Sequence, residues 1–267
     1  MRIGIVGAGG KMGQMLIQTV LATPGVTLGG ATERAGSPLV GRDAGETAGV
    51  DTLGIAITDN ADALFQSVDA VIDFTLPAVT ALHAGLAARH GTAHVIGTTG
   101  LSDAEKAALR DAATKAPVVF APNMSVGVNL LFALTQQVAS ILDDHFDIEI
   151  VEMHHRRKID APSGTALGLG EAAAAGRGVA LDDVAQRARD GHTGARKAGD
   201  IGFAVLRGGD VVGDHTVVFA SMGERIELTH KASSRQIYAD GALRAALWTR
   251  GKAPGLYGMN DVLGLKL

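Results

Sequence analysis

The chain has 267 residues, 46% of them hydrophobic and 19% charged, enough for one large domain or two smaller ones with their own cores. A net charge of −4 and a pI near 6.1 count against a nucleic-acid partner, and the lack of cysteine excludes disulfides and thiolate metal sites. No run is long and apolar enough to span a bilayer, and a strand pattern starts at residue 2, so the expectation is a soluble, cytoplasmic protein with no membrane partner.

Residues 2–6 (RIGIV) read as a short apolar strand. Gly7-Ala8-Gly9-Gly10-Lys11-Met12-Gly13 follows, then a helical pattern over 14–21. Strand, glycine loop and helix in that order form the layout of a dinucleotide site, where glycines let a pyrophosphate approach the backbone at a helix N-terminus. The spacing is G-x-x-G-x-x-G, because Met12 takes the third glycine position of G-x-G-x-x-G. Alone, such a loop is also an ordinary turn. A second strand over 26–31 ends beside Glu33, 20 residues past Gly13. An acid there can accept from the adenosine ribose hydroxyls of NAD, and Arg34 beside it can pair with a 2′-phosphate and stack on adenine. The pair points to a site that takes NADH or NADPH; the alternative is two exposed loop charges.

Residues 35–51 are glycine-rich and aperiodic and read as a loop. A buried strand over 70–74 follows, with Pro77 opening a helix over 78–90. The strand 94–97 ends in Gly97-Thr98-Thr99-Gly100. Ser102 caps a helix over 103–116, with Glu105 placed for a capping box. The strand 118–120 ends in Ala121-Pro122-Asn123-Met124-Ser125. This alternation predicts an α/β fold with a Rossmann-like, doubly wound parallel sheet. Ligands of such sheets sit at the carboxyl ends of the strands, where Thr75, Gly97–Thr99 and Ala121–Met124 all fall.

After a helical stretch over 126–142 the pattern changes. Strand-like segments recur at 147–153, 201–206, 211–220 and 225–231, with turns at 207–210 and 221–224. They predict an α+β second domain with a mostly antiparallel sheet. The polar stretch 190–200 is expected to be a lid or linker. A helix over 237–250 and a short apolar end over 261–265 return to the first domain. The expected division is 1–125 with 235–267 for the dinucleotide, and 126–234 for substrate and oligomerisation.

The densest chemistry lies over 151–166, VEMHHRRKIDAPSGTA. The strand before it alternates apolar and polar, so the cluster sits at a strand end. Pro162 blocks helix at Ala161, and Ser163 is placed to cap a helix over 166–175. A helix N-terminus suits an anion such as a carboxylate. His154 and His155 can exchange protons near neutral pH. A solvated basic face is the plain alternative. A metal-dependent hydrolase built on His154, His155 and Asp160 is disfavoured, because adjacent strand residues face opposite sides.

The run E-x-H-H-x-x-K-x-D-x-P-S-G-T-A is met at every fixed position by Glu152, His154, His155, Lys158, Asp160, Pro162, Ser163, Gly164, Thr165 and Ala166. Together with the Gly7–Gly13 loop, Gly97-Thr98-Thr99-Gly100, Ala121-Pro122-Asn123-Met124-Ser125, Arg207-Gly208-Gly209, Gly213-Asp214-His215 and Gly255-Leu256-Tyr257, it resembles the 4-hydroxy-tetrahydrodipicolinate (dihydrodipicolinate) reductase family over the full length. Met124 and Tyr238 stand where that family often has Phe. The resemblance implies NADH- or NADPH-dependent reduction of a small cyclic dicarboxylate in lysine and diaminopimelate synthesis, by a homotetramer without a metal. It maps His154 to the general acid/base and Lys158 to the proton donor. His155, Ser163, Gly164 and Thr165 map to substrate binding. Gly7, Ala8, Gly9, Gly10, Lys11, Met12, Glu33, Arg34, Gly97, Thr98, Thr99, Ala121, Pro122, Asn123 and Met124 map to the cofactor. A dinucleotide-binding redox sensor without catalysis would need the glycine loop but neither His154 nor Lys158.

Overall fold

The computed structural model describes residues 1–265; Lys266 and Leu267, at the end of the expected tail, lie outside the described residues. The chain divides into two compact units, Met1–Ser125 with Gln236–Gly264, and Val126–Arg235.

In the first unit, β1 (Arg2–Val6) runs into α1 (Lys11–Ala22), then β2 (Thr27–Thr32), α2 (Ala44–Thr47) and α3 (Ala61–Ser67). Next come β3 (Ala70–Asp73), α4 (Pro77–His90), β4 (Ala93–Ile96), α5 (Asp103–Ala113) and β5 (Pro117–Phe120). Strands this short and apolar are buried on both faces, as parallel sheets require, and Ala70–Asp73 and Ala93–Ile96 are buried throughout. Helix α4 starts at its Pro77 and stops at Gly91, whose φ of +69° closes the last turn. Helix α5 carries the full capping box: Ser102 Oγ accepts from Glu105 N–H, and the Glu105 carboxylate accepts from Ser102 N–H.

The second unit contains α6 (Val126–Ile141), β6 (Asp147–His154), α7 (Gly164–Gly176), α8 (Leu181–Val184), β7 (Ala185–Gln186), β8 (Ile201–Arg207), β9 (Gly213–Ala220) and β10 (Arg225–Ala232). The chain then returns to the first unit through α9 (Gln236–Trp248), β11 (Gly255–Tyr257) and α10 (Met259–Leu263). The first sheet has the order β11-β5-β4-β3-β1-β2, and every pairing in it is parallel. Its order reverses direction between β1 and β3, which places a ligand crevice at their carboxyl ends.

The second sheet has the order β10-β9-β6-β8-β7. It is mixed rather than mostly antiparallel: β10 and β6 pair antiparallel with β9, but β8 pairs parallel with both β6 and β7. The cause is α7, which carries the chain back across the sheet, so that β8 runs in the direction of β6. Along β6 burial alternates strictly, and Ile148, Ile150, Glu152 and His154 face inward. Ile148 and Ile150 join Leu169 and Ala173 of α7, and Val217 and Phe219 of β9, in one core. Each such apolar side chain contributes ~1.5–3 kcal/mol on burial.

Four local expectations change. Helix α1 begins at Lys11 rather than at residue 14, so Lys11 and Met12 lie in its first turn instead of in the loop. The stretch 35–51 is not aperiodic throughout: Asp43 caps α2, and its carboxylate also accepts from Leu53 and Ile55 N–H at 3.0 Å each, folding the segment on itself. Strand β11 extends the parallel sheet beyond β5, where the sequence is too short to show a period. The polar loop 190–200 is anchored: Arg196 reaches Asp147 at 2.7 Å and Glu149 at 2.8 Å on the outward face of β6.

Candidate functional site

The first unit holds a cleft of about 430 Å³ lined by Gly7, Gly10, Glu33, Arg34, Thr75 and His83, among others. Gly7 adopts φ +69° and turns the chain out of β1, and Gly10 N–H donates to its carbonyl at 3.0 Å. A side chain on Gly13 would strike the Gly7 carbonyl, so the third loop glycine is needed for close packing of helix on loop. Gly10 caps α1 without a side chain, leaving the helix N-terminus, with Lys11 and Met12 in its first turn, open to an anion. Ala8 is buried and donates its N–H to Thr32 O at 3.0 Å. Glu33 Oε1 accepts from Gly9 N–H at 3.0 Å, which brings the acid at the end of β2 against the glycine loop; Arg34 beside it is exposed.

The residues at the ends of β4 and β5 divide into reachable and internal ones. Thr99 and Pro122 are exposed, and Gly97 and Asn123 are half-buried. Thr98 is buried, with its hydroxyl turned into the protein towards Asp73. Ala121 and Met124 are buried too, and the Met124 carbonyl packs against Gly241. The crevice therefore combines an open helix N-terminus, a carboxylate at the end of β2 and an exposed guanidinium beside it.

In the second unit the chemistry gathers where β6 ends. Glu152 is 1% exposed, continuing the inward register of Ile148 and Ile150 with a carboxylate. Its Oε2 lies 2.6 Å from His154 Nδ1 and accepts from Arg207 Nη1 at 2.7 Å. Its Oε1 accepts from Arg207 Nη2 at 3.0 Å and from Ser163 N–H at 3.0 Å. Burial alone would push the Glu152 carboxyl up; the hydrogen bonds from Arg207, His154 and Ser163 outweigh it and hold the acid below the usual glutamate range. With Nδ1 committed to Glu152, His154 presents Nε2, and that nitrogen faces Gly213, where any Cβ would stand 3.0 Å away.

Lys158 Nζ pairs with Asp160 Oδ2 at 2.8 Å and is partly accessible. His155 keeps its Nδ1 buried without a partner. Ser163 caps α7 through Ala166 N–H at 3.1 Å and contacts His215 Nε2 at 3.0 Å. At 2% exposure its hydroxyl and N–H are both engaged inside the protein, so it positions α7 rather than presenting a group to a ligand. Gly164 and Thr165 are the first two residues of α7, at the positive end of its dipole. His215 packs edge-on against His154 with ring centroids 5.0 Å apart. Burial, with the nearby His154 and despite Glu152, pushes its pKa down to about 4, so it stays neutral.

Sequence reading places His154, Lys158, His155, Ser163, Gly164 and Thr165 in one neighbourhood. It gives no role to Glu152, Arg207 or His215. For Glu152 a signal exists: a carboxylate at an inward position two residues before a histidine. Arg207 and His215 come from distant strands.

The chain matches the family descriptions "Dihydrodipicolinate reductase, N-terminus" over residues 1–124 and "Dihydrodipicolinate reductase, C-terminus" over residues 127–263. It is 58% identical over 265 residues to a 4-hydroxy-tetrahydrodipicolinate reductase of Rhodopseudomonas palustris (strain BisB18), covering 99% of this chain and 98% of the relative. Against a 4-hydroxy-tetrahydrodipicolinate reductase of Ruegeria pomeroyi it is 60% identical over 263 residues, with 98% of each covered. Among solved structures, a dipicolinate-bound dihydrodipicolinate reductase from Paenisporosarcina sp. TG-14 shares the fold, with TM-score 0.74, 24% identity and 98% of each chain covered. Two matches that together span both units, and relatives this close over nearly the whole length, show that the chain belongs to the dihydrodipicolinate reductase family.

Proposed function

We propose that this chain reduces 4-hydroxy-tetrahydrodipicolinate to tetrahydrodipicolinate with NADH or NADPH, in lysine and diaminopimelate synthesis. The observation that carries the reading is the Glu152–His154 pair: a buried carboxylate holds Nδ1 of an imidazole whose other nitrogen faces Gly213. When bound, the dihydronicotinamide supplies the hydride. The glycine loop and the start of α1 take the pyrophosphate, Glu33 the adenosine ribose and Arg34 a 2′-phosphate when one is present. The 4-hydroxyl leaves as water, so the net reaction takes up one hydride and one proton, and His154 Nε2 and Lys158 Nζ are the groups that deliver the proton. His155 and the N–H groups at the start of α7 receive the substrate carboxylates. Arg207 is not spent on substrate: it holds Glu152 and the Asp160 carbonyl, and so fixes the loop that carries Lys158.

The protein acts in the cytoplasm as a homotetramer. The outward face of the second sheet supports assembly there, because Val151, Met153, Leu206 and Val218 are part exposed on it, Leu206 by 50%. The experiment is to follow NADH absorbance after adding freshly generated substrate. Consumption that disappears in His154→Ala is the expected result. A protein that binds NADH and consumes none would be a sensor instead.

A further inference from the structure

Strand β3 reads Ala-Val-Ile-Asp, and its last residue departs from the pattern. Asp73 is 0% exposed and stands in register with Val6 of β1 and Ile96 of β4. A carboxylate in such a place is costly to bury unless donors surround it, and a well-packed apolar residue would often serve stability better.

The donors are present. Thr75 gives Oδ1 its N–H at 2.8 Å and its hydroxyl at 2.6 Å, and Thr98 gives its hydroxyl at 3.4 Å. Oδ2 faces His83 Nδ1 at 2.7 Å and His94 Nε2 at 3.2 Å. Burial pushes the Asp73 carboxyl up, yet the two imidazoles and their hydrogen bonds overcome this and hold it well below the usual range. His94 is entirely buried, and burial lowers its pKa, so it serves as a neutral donor. The network extends further: Thr80 Oγ1 donates to Thr98 Oγ1 at 2.9 Å and lies 3.3 Å from Thr75 Oγ1.

These contacts join two loops. Thr75 belongs to the loop after β3, whose residues Phe74, Thr75 and Leu76 line the cleft. Thr98 belongs to the loop after β4, and Gly97 N–H donates to the Asp73 carbonyl at 2.9 Å. The side chains of Thr80 and Thr98 are buried, with the two hydroxyls bonded to each other. Their only visible task is to hold one loop against the other.

We propose that Asp73 is a positioning residue for the dinucleotide: its buried carboxylate fixes the loops after β3 and β4 in one arrangement and thereby sets how tightly the cofactor binds. The inference rests on the reading of this cleft as a nicotinamide dinucleotide site. Asp73 touches no cofactor atom in this account and acts through Thr75, Thr98 and His83.

The test is NADH binding by nicotinamide fluorescence, with melting temperature measured on the same samples. Wild type is titrated first; no binding there would overturn the reading of the cleft itself. With wild-type binding secured, Asp73→Asn is expected to raise the NADH Kd by ~10-fold or more, because one charged acceptor of several bonds is lost. The KM for substrate at saturating NADH is expected to stay put. A Kd within twofold of wild type would overturn the proposal, however far the melting temperature fell, since Asp73 would then serve the fold alone. Should Asp73→Asn fail to fold, the pair Thr80→Val and Thr80→Ser decides. A Kd raised by Val and restored by Ser supports the proposal; an unchanged Kd in Thr80→Val overturns it.

Discussion

Replacing Glu152 by Gln is the sharpest probe of the catalytic strand end, because it exchanges one carboxylate oxygen for an amide nitrogen with almost no change of volume. The carboxylate now meets four donors: His154 Nδ1, both terminal nitrogens of Arg207 and the Ser163 N–H. A carboxamide keeps one oxygen, enough for Ser163 and one arm of Arg207. Its NH₂ must then face His154 Nδ1 and the other arm of Arg207. The imidazole can adapt only by turning Nδ1 into an acceptor, which moves its proton to Nε2 and leaves that nitrogen in the wrong state to cycle. Loss of the correct tautomer in a comparable carboxylate–histidine pair costs up to ~10⁴ in turnover, and a positioned acid is worth ~10²–10⁴-fold. Turnover should therefore fall by ~10²–10⁴-fold, with NADH affinity intact. Stability should fall as well. Leaving Arg207 without its counter-charge costs ~2–4 kcal/mol, nearer the lower figure because the guanidinium is still partly in water. For a protein this size that is a drop of roughly 5–15 °C in melting temperature. Steady-state kinetics and a thermal melt on one preparation suffice. A kcat within twofold of wild type alongside a lowered melting temperature would refute the reasoning, and make Glu152 a structural acid.

Arg34→Ala should weaken NADPH by ~10-fold or more and NADH less, since only NADPH carries the 2′-phosphate. Equal losses for both would show that Arg34 does not read that group. His154→Ala and Lys158→Ala should each lower kcat by ~10²–10⁴-fold, whereas His155→Ala should chiefly raise the substrate KM. Near-normal turnover in both of the first pair would move the proton source elsewhere. Stability should also decline between pH 6.5 and about 4: His215 titrates near 4 when folded against an ordinary 6.5, so on acidification the unfolded chain takes the proton first. The loss is ~2–3 kcal/mol across that window, and His215→Gln should flatten it; an unchanged slope in the variant would rule His215 out.

How much of this was legible in the sequence depends on distance along the chain. The Gly7–Gly13 loop, the Ser102–Glu105 box and the Ser163 cap are local, and each can be read from a few residues. The start of α1 is displaced because two glycines precede Lys11 and obscure where the helical period begins. Helix α3 and strand β11 are seven and three residues long, too short to show a period. The mixed character of the second sheet depends on α7 acting as a crossover, which turn residues do not announce. The site divides in the same way. His154 and Lys158 lie in one dense run, whereas Arg207 meets Glu152 across 55 positions and His215 meets Ser163 across 52. Nothing near Arg207 or His215 in sequence says what it will face.

Glu152 and Asp73 represent one solution used twice. Each is an almost fully buried carboxylate at or near the end of an inner strand, ringed by donors from neighbouring strands, a helix and the loops that begin where the sheet stops. Neither is needed to complete an apolar core, since Ile148, Ile150 and Ile72 already do so on the same strands. What a buried charge adds is direction: several donors must converge on it, and a loop that supplies two of them cannot drift. The two acids differ in what stands between them and solvent. Glu152 holds the ring of His154, the proposed proton donor, so its loss should appear in turnover. Asp73 holds the hydroxyls of Thr75, half-buried at the cleft, and of buried Thr98, so its loss reaches a ligand through the two loops that carry them, and should appear in cofactor affinity. If the Gln variant at 152 changed cofactor Kd and the Asn variant at 73 changed only kcat, the assignment of the two networks to proton transfer and cofactor placement would be reversed.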